Sequence, residues 1–506
     1  MDLPLTRRQF LRSTGGITFL SLVPIGRGLF SAPLVKAAPL PVFTAVPYVQ
    51  PGPDGHLREG GEVVRLAWQT LHTPAEFEVC YGPDKFYSNT ASVVRTQRLN
   101  HGRNEIEDRF NYVASLNQLE LGREYFYRVT CNGELLAKGY FTTRQPRGRA
   151  IRFVSFGDNS FGDVSDRAIA YHAYQAHPDF VMNTGDNVYD GGLDNEYGRY
   201  FFPVYNADVA GLGMGGPLLR SVPFYSVIAN HDVHAKDAKG RPVADFDASP
   251  DSLAYYTNFH LPLNGPQHPR YPTSIVGHAE VLDGFKACAG DRFPRMANYS
   301  FDSGDAHFLC LDSNLYVDPT DPDFQAWIRD DLRNTDALWK FVVYHHPPFN
   351  VGLEHCAEQH MRVLCPLFEE HGVDLVLHGH EHSYQRTVPL RFKPRGTGAA
   401  PDIDKKDRLV PGEFVLDQRF DGKSVTKPDG VIYVVTGAGG KRLYDPGFTN
   451  TPSKWLLAED GNVPYVANFV SDRHSLTIFD LDGGSLTMRQ VDEFGQEIDR
   501  IRVTKS

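Results

Sequence analysis

The spacing of apolar positions changes character along the chain. From about Pro41 to Thr143, short runs rich in β-branched and aromatic residues are punctuated by Pro, Gly and Asn, with no long helical period. Val63 to Thr70, Glu76 to Tyr81, Tyr125 to Cys131 and Leu136 to Thr142 are the clearest of these runs, and they predict strands joined by turns. Past the linker Gln145-Pro146-Arg147-Gly148 the apolar runs read as buried strands: Ile151 to Phe156, Phe180 to Thr184, Phe224 to Ala229, His307 to Leu311, Phe341 to Tyr344, Val373 to Leu377 and Val431 to Thr436. Helical stretches such as Asp166 to Ala176 and Asp323 to Leu332 separate several of them. The expected organisation is an all-β sandwich over 41–145 followed by an α/β domain over 150–506, with alternating strands near Ser475 to Thr504 completing a second sheet. Two excursions, about Lys236 to Arg295 and about Arg391 to Pro428, are rich in Pro, Gly, Asp and Lys, and read equally as lids or as surface insertions.

The candidate chemistry sits at the strand ends of the second region. Five of these strands run directly into Asp, Asn or His: Gly157-Asp158, Gly185-Asp186, Asn230-His231-Asp232, His345-His346 and His378-Gly379-His380-Glu381-His382. Strand ends on one rim of a sheet converge, so these side chains are expected to share a site. Taken singly, a strand-end Asp is more often a cap and a lone His a loop residue. Five ordered blocks outweigh those readings. His346, His378, His234 and Asp190 are assigned structural roles or places behind the ligands, Asp163 and Asp166 are expected to cap a helix, and Gly437-Ala438-Gly439-Gly440 reads as a turn near the site.

Composition narrows the setting. A length of 506 residues implies about two to four domains. A net charge of -11 and a pI near 6.0 provide no basic stripe for duplex nucleic acid. Six cysteines with no C-x-x-C pair exclude a disulfide scaffold, leaving Cys356 with Cys365, and Cys80 with Cys131, as pairings that geometry must decide. The N-terminus reads Thr6-Arg7-Arg8-Gln9-Phe10-Leu11-Arg12, then a moderately apolar stretch from Gly15 to Val35 and small residues at Ala37 and Ala38. That is the layout of a twin-arginine export signal over 1–37, and Arg27 with Pro24 and Pro33 interrupts the run too early for a membrane anchor. The expected location is the periplasm or the extracellular space, reached through the twin-arginine translocase.

Two resemblances sharpen these expectations. The stretch Leu119 to Val129, LELGREYFYRV, resembles the late strands of immunoglobulin-like domains and suggests a fibronectin type III-like sandwich. The five strand-end blocks resemble the metal signature of calcineurin-like metallophosphoesterases, whose catalytic domain is a four-layer αββα sandwich. Two details are similar to the purple acid phosphatase branch: Ser160 stands where most of the superfamily has His, and Tyr189 stands three residues after Asp186, where the purple enzymes place a tyrosinate on ferric iron. The resemblance spans nearly the whole mature chain. It implies a binuclear centre, with Asp158, Asp186, Tyr189 and His382 around Fe(III) and Asp186, Asn230, His345 and His380 around a divalent Zn, Mn or Fe, Asp186 bridging. Hard phenolate and carboxylate donors suit the first ion, imidazole and amide the second.

By the same resemblance His231 contacts substrate phosphate, and His355 is the general acid, oriented by Glu358. Asp232 replaces the commoner Glu behind the ligands, and Ala229 replaces the usual Gly before Asn230. The implied reaction is hydrolysis of small phosphate monoesters with metal-bound hydroxide as nucleophile. The alternative is a phosphodiesterase using the same centre. A binding protein with a dead catalytic domain is a third reading, and the presence of all seven ligand residues weighs against it. Oligomeric state is left open.

Overall fold

The computed structural model describes residues 40–505 except 59, 72–73, 99–107, 234, 239, 268, 396–407, 456–459 and 461. The expected export signal, with Arg7 and Arg8, and His234 lie outside the described residues. Strands Phe43–Gln50, Glu62–Leu71, Arg109–Leu119 and Val93–Arg98 form one antiparallel sheet. Asn89–Ala91, Phe77–Gly82, Glu124–Cys131 and Glu134–Thr142 form a second. Alternate residues point between the sheets, where Trp68 stacks on Tyr112 at 5.5 Å and Phe77 meets both edge-on. Cys80 stands opposite Arg128 and Cys131 opposite Phe77, so these thiols occupy neighbouring strands out of register. All six cysteines are free, and Cys365 Sγ instead accepts the Tyr433 hydroxyl at 3.2 Å.

The larger region contains two facing mixed sheets. One runs in the order Phe224–Ser226, Phe180–Asn183, Ile151–Phe156, Ser475–Asp482, Ser485–Asp492, Glu497–Thr504. The other runs Tyr299–Ser303, Ala306–Cys310, Trp339–Val343, Leu375–His378, Ile432–Thr436, Tyr384–Thr387, Val466–Val470. Adjacent residues of one strand serve different cores: Phe308 and Phe341 enter the layer between the sheets, while Leu309 and Val342 pack outward against Ile328 and Leu332 of helix Pro322–Asn334. Burial on both faces explains why these strands are apolar throughout. Phe153 of the first sheet meets Phe308 and Phe341 of the second at 5.1 and 5.4 Å, locking the layers. Helix Val164–Gln175 covers the first sheet, giving the four-layer αββα arrangement. Asp163 is its N-cap, and the Asp166 carboxylate accepts backbone N–H bonds from Ser160, Phe161, Gly162 and Asp163. No helix among the described residues is long and apolar enough to cross a membrane.

The first excursion is neither a lid nor a surface loop. It builds a three-stranded sheet and the helix Ala279–Ala289, and it seats the β-sandwich. Buried Arg98 donates to Thr257 Oγ1 at 2.8 Å and to Ser252 O, with its guanidinium 5.8 Å from the Phe285 ring centroid. Arg109 pairs with Asp194 at 3.2 Å, and Arg144 grips Glu62 through two 2.7 Å bonds while reaching Asp302 O at 3.3 Å. In the second excursion, Arg391 to Pro428, strands Leu390–Pro394 and Gly412–Leu416 pair, and Arg408 between them points at the candidate site.

Candidate metal centre

Strands Ile151–Phe156, Phe180–Asn183 and Phe224–Ser226 run parallel, as do Trp339–Val343, Leu375–His378 and Ile432–Thr436. Their C-terminal ends therefore open on one rim, where the structure places Asp158, Asp186, Asn230, His345 and His380 as the strand-end pattern predicts. Three of these residues adopt left-handed backbone conformations, φ being 58° at Asp158, 50° at Asp186 and 67° at His380. Such angles are costly for non-glycine residues and persist where surroundings enforce them. Space is equally constrained. A Cβ on Gly379 or Gly437 would lie 2.5 or 2.7 Å from Asp158 Oδ2, so only glycine lets the backbone approach that carboxylate. The Gly437 turn is thus part of the site wall.

On one side oxygen donors dominate. Tyr189 Oη lies 3.1 Å from Asp158 Oδ1, 2.9 Å from Asp186 Oδ2 and 3.2 Å from His382 Nε2. His382 Nδ1 donates to Arg442 O at 2.7 Å, which turns Nε2 inward. On the other side His345 Nδ1 donates to Thr184 O at 2.8 Å, again aiming Nε2 inward. That atom lies 3.3 Å from Asp186 and 3.9 Å from Asp158, yet makes no hydrogen bond. Asn230 Oδ1 is likewise buried without a partner. His380 commits Nε2 to Glu358 Oε2 at 2.9 Å, leaving Nδ1 for a ligand, and its ring lies 5.0 Å from that of His345. The orphaned inward atoms and the carboxylate, phenol, imidazole and amide donors fit a pair of cations.

Electrostatics point the same way. Burial opposes the charged form of Asp186, but His345 and His231 outweigh it and hold the carboxyl well below its usual range; His345 is raised in return. Burial, with Asp158 and Asp186 beside it, pushes Tyr189 well above the ordinary phenol range, so only a cation replacing its proton yields a phenolate. Burial and neighbouring His355 lower His380 to about 3, keeping the ring neutral.

The remaining predicted residues surround this set. The His231 N–H donates to Asp186 Oδ1 at 2.9 Å and its Nδ1 to Asp190 O at 3.0 Å. Asp232 accepts from Asn187 N at 3.3 Å and Ala229 N at 3.0 Å, bracing the turn that presents Asn230. His355 lies with its ring 3.9 Å from that of His380 and Nδ1 3.6 Å from Glu358 Oε1. Burial disfavours its charged form, but Glu358 prevails and raises its pKa. Glu358 thus serves both histidines, and Arg408 Nη1 pairs with it at 2.5 Å. His346 bonds Ser313 Oγ and His378 bonds Tyr344 O, both structural contacts. Arg408, Lys441 and Tyr444 also border the site, and the five-block pattern does not single them out. Tyr444 stacks on His382 at 4.1 Å, and with Lys441 it comes after the strand Ile432–Thr436, so the strand-end rule extended to a sixth strand would have found both. Arg408, inside a long excursion, carries no local signal.

Two facing mixed sheets thus deliver acids and imidazoles to a shared rim. Residues 155–384 match the family described as calcineurin-like phosphoesterase. Purple acid phosphatase 17 of Arabidopsis thaliana is 28% identical over 292 residues, covering 54% of this chain and 74% of that protein. Among solved structures, purple acid phosphatase PPD1 from yellow lupin (Lupinus luteus) superposes with a TM-score of 0.62 at 16% identity, covering 90% of this chain and 74% of the lupin chain. A structure of PhoD gives a TM-score of 0.52 at 12% identity, covering 92% and 94%. The chain carries a calcineurin-like phosphoesterase domain and is similar to the purple acid phosphatases, which together indicate a phosphatase enzyme, and a binuclear metal centre goes with that kinship.

Proposed function

We propose that the enzyme hydrolyses small phosphate monoesters, with Fe(III) held by Asp158, Asp186, Tyr189 and His382 and a divalent Zn, Mn or Fe held by Asp186, Asn230, His345 and His380. The observation that carries this reading is the Tyr189 hydroxyl set within 3.2 Å of donor atoms from Asp158, Asp186 and His382. Two cations in this set would supply Lewis acidity, activating water and neutralising charge on the phosphoryl group. His231 offers Nε2 to a phosphoryl oxygen, since its other nitrogen is committed to Asp190 O. His355 keeps Nδ1 toward Glu358, so the proton for the leaving-group oxygen departs from Nε2. Purified enzyme assayed on aryl monoester and diester substrates, with metals quantified in parallel, tests the reading. Monoester preference with iron plus one divalent ion per chain is expected, and a diester preference would transfer the assignment to the phosphodiesterase alternative.

The export reading belongs with this proposal, because the Arg7-Arg8 motif heads a signal-like segment. Changing both arginines to lysine is expected to leave an unprocessed precursor in the cytoplasm, and normal export of that variant would refute the reading.

A further inference from the structure

Lys441 is pinned at its backbone: its N–H donates to Asp158 O at 2.9 Å, and its carbonyl accepts from His474 Nε2 at 3.1 Å. From that fixed base the side chain crosses the Tyr189 ring. The ammonium lies 4.3 Å from the centroid of Tyr189 and 3.7 Å from that of Phe161, and it ends on Asp190 Oδ1 at 2.9 Å. The Lys441 side chain is 17% exposed, whereas that of Asp190 is 73% exposed. An ion pair with so exposed a carboxylate is weak. The two aromatic faces give the ammonium its seat, and they account for Phe161, a large apolar side chain left 40% exposed beside the site.

We propose that Lys441 is a positioning residue that sets how strongly Tyr189 donates charge to a ferric ion, a role that rests on the ferric assignment above. A fixed positive charge over the ring stabilises negative charge on the phenolate oxygen and weakens its donation to the metal. More energy is then needed to move an electron from phenolate to iron, and the ferric state is easier to reduce. Lys441 therefore poises the redox state as well as the geometry of Tyr189.

The test compares visible spectra and reduction potentials of the iron-loaded wild type with Lys441→Met, Lys441→Arg and Asp190→Asn. Lys441→Met is expected to move the charge-transfer band to longer wavelength and lower the potential, and Lys441→Arg to restore both. Asp190→Asn removes only a weak, exposed partner and is expected to shift the band slightly the opposite way. An iron-loaded Lys441→Met whose band and potential match wild type overturns the proposal. Should that variant fail to load iron, Lys441→Gln takes its place, and an unmoved band and potential in it overturn the proposal. A colourless wild type with full iron occupancy would sink the ferric assignment itself, a distinct outcome.

Discussion

Two clusters of buried acids and imidazole lie in the same α/β region, and they spend their polar atoms differently. In the first, His307 bonds Asp302 Oδ1 through Nδ1 and Asp331 Oδ2 through Nε2, both at 2.8 Å. Arg147 lies 3.3 Å and His56 3.4 Å from the other Asp302 oxygen, and Ser300 Oγ donates to the other Asp331 oxygen at 2.6 Å. Burial opposes the charged imidazole, yet the two carboxylates prevail and raise its pKa to about 9. In the second cluster, His345 gives one nitrogen to a carbonyl and holds the other 3.3 and 3.9 Å from Asp186 and Asp158 without a hydrogen bond. Asn230 Oδ1 is equally unspent. The first cluster saturates itself and acts as a strut beneath the β-sandwich, whose Arg144, just before the linker, reaches Asp302 O. The second keeps donor atoms aimed inward, as a ligand set must. The same residue types therefore separate into scaffold and candidate metal site by whether their hydrogen bonds close among themselves.

Substitutions should divide along that line. Asp186→Asn is expected to lose metal and turnover together, by more than the roughly 10–100-fold typical of an outer partner, while its melting temperature without metals stays near wild type. Two retained metals with near-normal turnover would remove Asp186 from the centre. His355→Ala should cut turnover by about 10²–10⁴-fold on esters with poor leaving groups and far less on activated aryl esters. Equal losses on both would make His355 a positioning group.

The strut should respond in stability instead. His307→Gln leaves buried carboxylates uncompensated and is expected to cost about 3–5 kcal/mol of stability, with metal content and turnover of the folded fraction unchanged. Because the folded pKa of His307 is raised to about 9 from an unfolded value of ~6.5, its contribution is complete below pH ~6.5 and is lost as pH rises through about 9. That loss amounts to roughly 3 kcal/mol and should disappear in His307→Gln denaturant titrations run across this range. An unchanged alkaline decline in the variant would assign the effect elsewhere. The smallest effect on turnover is expected for Tyr189→Phe, which should bleach the visible band of iron-loaded enzyme while Asp158, Asp186 and His382 remain. Retention of the band would exclude Tyr189 as its source.

Much of this arrangement was legible from pattern alone. The uniformly apolar runs marked strands buried on both faces, and the residues after them marked the rim, because parallel strands must present their ends together. The two long excursions were not legible. Helix Ala279–Ala289 takes its place by packing Phe285 and Cys288 near Arg98 and Thr96, contacts no local period announces. Cys80 and Cys131 fell on adjacent strands as the alternation allowed, but register alone decided that they face Arg128 and Phe77.

By itself, then, the sequence determined which residue types stand at which strand ends, and with them the order of acids, amide, phenol and imidazoles that makes metal chemistry possible. Only the tertiary structure decided how the two nitrogens of each histidine are spent, that Glu358 joins His355 to His380 under Arg408, and that Lys441 lies over Tyr189. The reason is physical: strand-end chemistry is written in consecutive residues, whereas hydrogen-bond direction and ring-face contacts arise between segments tens to hundreds of residues apart, and only packing fixes them.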